Sequence, residues 1–149
     1  MVEAKNMRPD LRWIAVDNWL PIEEQPEHYK ATQDDNALKS AQLCEKHRAE
    51  FYNRAAALGV SVLHTDTVAA ARLFGHRTID IVFVDADHSY KGVKADIESW
   101  FPMIAPGGWI GGHDYRNVDP RFRGVDEAVD QIFTRVETDA NYTWWKQVK

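Results

Sequence analysis

Thr78-Ile79-Asp80-Ile81-Val82-Phe83-Val84-Asp85-Ala86-Asp87-His88-Ser89-Tyr90, followed by Pro106-Gly107-Gly108-Trp109-Ile110-Gly111-Gly112-His113-Asp114-Tyr115, decides how this chain folds. Residues 79–84 form a near-continuous β-branched and aromatic run broken only by Asp80, the pattern of a strand buried on both faces of a parallel sheet. The run ends in Asp85. A helix is predicted from about Ser89 to Met103, because Tyr90, Val93, Ile97, Phe101 and Ile104 recur at helical spacing. Pro106, Gly107 and Gly108 stop it and turn the chain. Trp109 and Ile110 open a second apolar strand that runs through Gly111 and Gly112 to Asp114. Two adjacent parallel strands thus deliver Asp85 and Asp114 to one edge of a sheet, the carboxyl edge where open α/β sheets bind ligands.

Length and composition bound what that sheet can belong to. The 149 residues suit a single domain, 1–149, with a real core. A net charge of -5 and the lack of any basic run speak against nucleic acid as a partner, since phosphate binding needs clustered Lys and Arg. Cys44 is the one cysteine, so no disulfide forms within the chain and a reducing, cytoplasmic setting is expected. No apolar run has the length of a membrane span, and the N-terminus lacks a signal-peptide pattern; no membrane partner is expected. The six tryptophans are scattered and read as packing.

Outward from the centre, strands and helices alternate. A short helical segment at 2–7 ends at Pro9 and Asp10, and 11–16 is a strand closed by Asp17. Residues 18–35 are polar, hold Pro21 and Pro26, and form a long loop suited to covering a site. A helix over 37–58 is capped by Gly59. Residues 60–64 make the next strand, and Asp66 and Thr67 cap a helix from about Val68 to Phe74. Beyond Asp114 comes a loop, 116–124, with Arg121 and Arg123. Val125, Ala128, Val129, Ile132 and Phe133 mark an amphipathic helix. Residues 142–148 form a last strand with Trp144 and Trp145 on opposite sides. The fold class is α/β, a Rossmann-like, mostly parallel sheet with helices on both faces.

In order, Trp13-Ile-Ala-Val-Asp17-Asn18-Trp19, Asp66-Thr67, the Asp85-Ala-Asp87-His88-Ser-Tyr90 block and the Pro106-Gly-Gly to Asp114-Tyr115 block resemble the class I S-adenosylmethionine-dependent methyltransferases. The similarity is to the small-molecule O-methyltransferases whose fourth strand ends in Asp-x-Asp-His-Ser-Tyr, and it runs from that fold's second strand onward. It implies S-adenosylmethionine as cofactor and a small molecule as substrate. Asp17, with Asn18 beside it, would hold the cofactor ribose; Asp66 and Thr67 would lie along its adenine, and Asp85 would also touch the cofactor. In metal-dependent relatives the carboxylates closing the fourth and fifth strands bind a cation such as Mg²⁺, which matches Asp85 and Asp114. The residue after the second aspartate often ligates as well; here it is Tyr115. One departure stands out: the family's first strand and Gly-rich turn should precede Asp17, yet the first glycine is Gly59. The sheet is therefore expected to be incomplete at its N-terminal end: either the chain is a fragment of a longer enzyme, or a neighbouring chain or rearranged segment fills the gap, and unpaired strand edges favour a homo-oligomer.

Two chemistries fit these residues. A hard cation on Asp85 and Asp114 can hold a substrate hydroxyl, lower its pKa and orient its oxygen toward a sulfonium methyl. Alternatively, His88 takes the substrate proton and the transfer is metal-free. Simpler roles stand beside these: Asp87 reads as the N-cap of the following helix, His113 as structural, Arg121 and Arg123 as a solvated loop face, and Cys44 as packing. The function expected is methyl transfer to an oxygen of a small molecule. A non-catalytic or truncated methyltransferase-fold module, acting in binding or oligomerisation, is the alternative. A phospho-acceptor module using Asp17 and Asp85 ranks third, for want of paired acids after the first strand.

Overall fold

A computed structural model describes residues 11–25, 27–30 and 41–149. The helix expected at 2–7 lies outside the described residues, as do 31–35 of the long loop and 37–40 of the long helix. Backbone contacts group the chain into two compact units: Met1–Glu24 with Leu38–Ala70, and Gln25–Ala37 with Ala71–Lys149. None of the described helices is long and apolar enough to cross a membrane.

In the first unit, β1 (Ile14–Asp17) pairs in parallel with β2 (Ser61–His64), with Asp17 opposite His64. Helix α1 (Ala41–Ala57) joins them. It stops where the sequence says it must: Gly59 adopts φ +64, a conformation that costs glycine little, and Val60 N–H returns to Ala55 O at 2.9 Å. Ala55, Cys44 and Val60 are buried. The Trp19 and Phe51 rings pack at 5.3 Å. Residues 18–25 are less open than a loop, since Ile22–Glu24 forms a 3₁₀ turn. Helix α2 (Thr67–Ala71) starts under the cap expected, with Ala69 N–H donating to Asp66 Oδ1 at 3.0 Å.

The second unit is a four-stranded sheet in the order β3-β4-β6-β5. It comprises β3 (Ile79–Val84), α3 (Tyr90–Trp100), β4 (Ile104–Gly112), α4 (Arg123–Ile132), β5 (Glu137–Thr138) and β6 (Trp144–Gln147). β3 and β4 run parallel, whereas β6 lies antiparallel to both β4 and β5. Val82, Val84, Ile110 and Trp144 on one face meet Val93, Ile97, Val125, Ala128 and Val129 from α3 and α4. That face is the core. Burying one such Ile or Val side chain is worth about 1.5–3 kcal/mol.

Three expectations are corrected here. β3 is not buried on both faces: Ile81 is 49% and Phe83 48% exposed, while Val82 and Val84 pack against the core. β3 also has no strand partner other than β4 among the described residues. The helix before β4 is not ended by Pro106-Gly107-Gly108. It gives way at Phe101–Met103 to a 3₁₀ turn containing Pro102, and the glycines sit inside β4 as an irregularity, Ile79 pairing with Ile104 but Ile81 with Trp109. The cap of α3 is Ser89, whose Oγ accepts from Gly92 N–H at 3.1 Å. Asp87 braces that cap, accepting from Ser89 N–H at 2.8 Å and Ser89 Oγ–H at 3.0 Å.

Candidate functional site

Parallel register brings the acidic residues together. Val84 pairs with Gly112, and His113 N–H donates to Val84 O at 3.1 Å, so Asp85 and Asp114 leave the sheet at the same edge. The Asp85 side chain is half exposed, while that of Asp114 retains 10% of its accessibility. Asp114 sits at φ 62 in the left-handed region, uncommon for a residue with a Cβ. Just past the end of β4, His113 Nδ1 lies 3.2 Å from Asp114 Oδ2. Asp85, His113 and Asp114 each offer a ligand atom, all within 4.8 Å of one another.

His88 closes the group from the other side. Its Nε2 lies 3.1 Å from Asp114 Oδ2 and 3.6 Å from Asp85 Oδ1, and its ring meets Phe122 edge-on at 4.8 Å. Among the described residues neither ring nitrogen of this partly buried imidazole has a directed hydrogen-bond partner. Two carboxylates and an imidazole suit a divalent cation. An all-oxygen set would favour Mg²⁺, and the His113 nitrogen moves the preference toward Mn²⁺ and the later transition metals. Tyr115 takes no part in this group: it is buried, and its hydroxyl donates to Asp130 Oδ1 at 2.7 Å. Burial, reinforced by Asp130, pushes its pKa up and keeps it a donor.

The other candidate residues belong to the first unit. Asp17 closes β1, and its Oδ1 accepts from Trp19 N–H at 2.7 Å. Desolvation at the end of β1 pushes its carboxyl pKa up, outweighing the opposing pull of Trp19 N–H and His64, even though the residue keeps contact with water. Asn18 Oδ1 accepts from Leu20 N–H at 3.1 Å, and Asn18 O lies 3.0 Å from His64 Nε2. A cleft of about 230 Å³ opens among Asn18, Trp19, Glu24, Cys44, Arg48 and His64. Asp66 is engaged as a helix cap, and Thr67 begins that helix. A second cleft of about 280 Å³ runs along Tyr115, Asp130 and Thr134, and none of Asp85, His88 or Asp114 lines it. Arg121 is tied to Asp119 at 2.6 Å. Cys44 is buried, and burial, followed by the charges of Glu23, Asp17 and Glu24, raises its thiol pKa.

Comparison with known proteins follows the same lines. No curated protein sequence matches the chain. The structure of the O-methyltransferase NovP aligns with 99% of this chain and 64% of its own, at 17% identity and TM-score 0.56. CalS11, a calicheamicin methyltransferase, aligns with 97% of this chain and 65% of its own, at 11% identity and TM-score 0.58. A protein from Corynebacterium glutamicum covers 74% of this chain and 58% of its own, at 14% identity and TM-score 0.53. At these identities the likeness is one of fold, and the chain spans roughly three-fifths of the length of each. A family model described as a methyltransferase domain matches residues 3–115, from ahead of β1 through the Asp114 turn. With that match over most of its length, the chain belongs to this methyltransferase-domain family.

Proposed function

We propose that this chain serves S-adenosylmethionine-dependent methyl transfer to an oxygen of a small molecule, assisted by a divalent cation at Asp85, His113 and Asp114. The observation that carries the reading is the gathering of those three ligand atoms within 4.8 Å at the carboxyl edge of β3 and β4. Asp85 and Asp114 supply negative charge and His113 fixes the third position. When bound, a cation there lowers the pKa of a substrate hydroxyl. His88 accepts the hydroxyl proton, since among the described residues neither of its ring nitrogens is committed to a directed hydrogen bond. Phe122 shields the imidazole from water on one side. In the first unit, Asp17 presents a carboxylate at the end of β1, suited to a pair of ribose hydroxyls, with Asn18 next to it and Asp66 and Thr67 after β2.

A second reading, a methyltransferase-fold module that binds without catalysing, is favoured by one feature: neither the cleft of about 230 Å³ nor that of about 280 Å³ is lined by Asp85, His88 or Asp114. Calorimetric titration with S-adenosylmethionine and with its demethylated product separates the two. Saturable heat that is lost in Asp17→Ala supports the enzyme. Absence of heat with either compound assigns the chain to the binding module. A parallel titration with Mn²⁺, on wild type and Asp85→Asn, tests the cation; unchanged affinity in the variant leaves His88 as the base of a metal-free transfer.

A further inference from the structure

The loop that follows β4 is built around one side chain whose bonds are all directed. Asn117 Nδ2 donates to Asp114 Oδ1 at 2.6 Å, while Asn117 Oδ1 accepts from Asp119 N–H at 3.1 Å. The two bonds together fix the orientation of the amide, since exchanging its oxygen and nitrogen would set like against like at both ends. With Oδ1 of Asp114 occupied, the oxygen turned toward His88 and His113 is Oδ2, at 3.1 Å and 3.2 Å. We infer that Asn117 is a positioning residue: its amide selects which oxygen of Asp114 faces the reaction edge and holds it there.

The rest of the loop is shaped to serve this. Asp114 and Arg116 both adopt left-handed backbone, at φ 62 and φ 57, a conformation that persists only when the surroundings impose it. Helix α4 imposes it with two carboxylates one turn apart. Asp126 Oδ1 accepts from Arg116 N–H at 2.6 Å, and Asp130 Oδ1 accepts from Tyr115 O–H at 2.7 Å. Tyr115 N–H is anchored in turn on Tyr142 O at 2.9 Å. Asp119 continues the chain of bonds to Arg121 N–H at 2.9 Å, and the next residue, Phe122, is the ring set against His88. One loop thereby aims Asp114 and walls His88. Asparagine is the residue the position requires. Aspartate would set two carboxylates 2.6 Å apart, and serine can still accept from Asp119 N–H but is too short to reach Asp114.

The inference rests on the proposed reading only where a cation is concerned, so the deciding readout needs none. Long-range ¹⁵N NMR reports the ring nitrogens of His88 in the metal-free full chain, for wild type, Asp114→Asn and Asn117→Ser. Asn117→Ser is expected to move the His88 resonances toward those of Asp114→Asn, and Asn117→Asp, isosteric and able to keep the Asp119 bond, must move them too. Calorimetry with Mn²⁺ alone is expected to show affinity lowered about 10- to 100-fold in Asn117→Ser, the range for groups that orient a ligand. His88 resonances that stay at their wild-type positions in both variants overturn the inference. Resonances that move while Mn²⁺ fails to bind even the wild type uphold Asn117 and remove the cation from the proposed function.

Discussion

Gly124 is where the core and the candidate site press on each other, and replacing it with alanine tests both. A Cβ there would run into Tyr90 N and stand 2.6 Å from His88 O and 2.7 Å from Ser89 C. Ordinary contact begins near 3.4 Å, so the first turn of α4 and the His88–Tyr90 backbone must separate by about 1 Å, and backbone gives far less readily than a side chain. Two effects oppose each other. Gly→Ala in a helix gains about 1 kcal/mol, whereas overpacking costs about 1–3 kcal/mol. The net expectation for Gly124→Ala is a loss of about 0–2 kcal/mol, read from urea midpoints at constant m-value. The site suffers more, because a displacement of about 1 Å in a reacting group can cost up to 100-fold in rate. Turnover should therefore drop much further than stability. A variant that is more stable by the full helix-propensity gain, with the His88 ring resonances unmoved, would refute the close approach of α4 to the 88–90 backbone.

Asp17→Asn is expected to stabilise the protein at neutral pH. The folded-state pKa of Asp17 lies above 3.8, so the folded protein binds the extra proton in the window above 3.8, and stability falls as pH rises through it. Asparagine keeps an oxygen for Trp19 N–H without the charge. The advantage over wild type should shrink as pH falls toward 3.8 and disappear below it, in urea denaturation series; an advantage that grows on acidification has the wrong sign. We also propose that the open edge of β3 drives association into homo-oligomers. Light scattering should give a mass above the 17.1 kDa of one chain, reduced by Ile81→Lys, because a charge on an edge strand opposes pairing. A wild-type mass of one chain at all concentrations rejects this.

Much of this architecture was legible because hydrophobic runs and strand ends carry strong signals. The limits of β3 follow from its composition, and the convergence of Asp85 with Asp114 follows from two parallel neighbours ending at one edge. Trp144 and Trp145 do face opposite sides: one ring packs on Phe133 at 5.9 Å and the other on Phe83 at 5.5 Å. The misses have physical causes. Pro106-Gly107-Gly108 is a turn signal, and Gly107 does take φ +83, but the turn is absorbed within β4 because pairing resumes on its far side. β5 has two residues and no pattern to read. The sequence reads His113 as structural, whereas its Nδ1 lies 3.2 Å from Asp114 Oδ2. The left-handed φ of Asp114, at the turn where the two side chains meet, is invisible in the residue types.

The two carboxylates at the centre are not equivalent, and the difference follows from what surrounds each. Asp85 leaves an edge strand with no described neighbour beyond β4, and its side chain is half exposed, so any ligand it holds must first take away its rotamer freedom. Asp114 leaves a strand flanked on both sides, and Asn117 has already removed that freedom. The approach that makes this possible depends on absent side chains. A Cβ on Gly112 would stand 2.5 Å from Val84 O and 2.8 Å from Trp144 Nε1, forcing β4 away from its neighbours one residue before His113. Glycine at 112 and at 124 thus lets β4 and α4 close on the site from two directions. The fixed half of the cluster is assembled by core packing and the adjustable half by solvent-exposed strand end, so substitutions that crowd the core should be felt first at Asp114 and only later at Asp85.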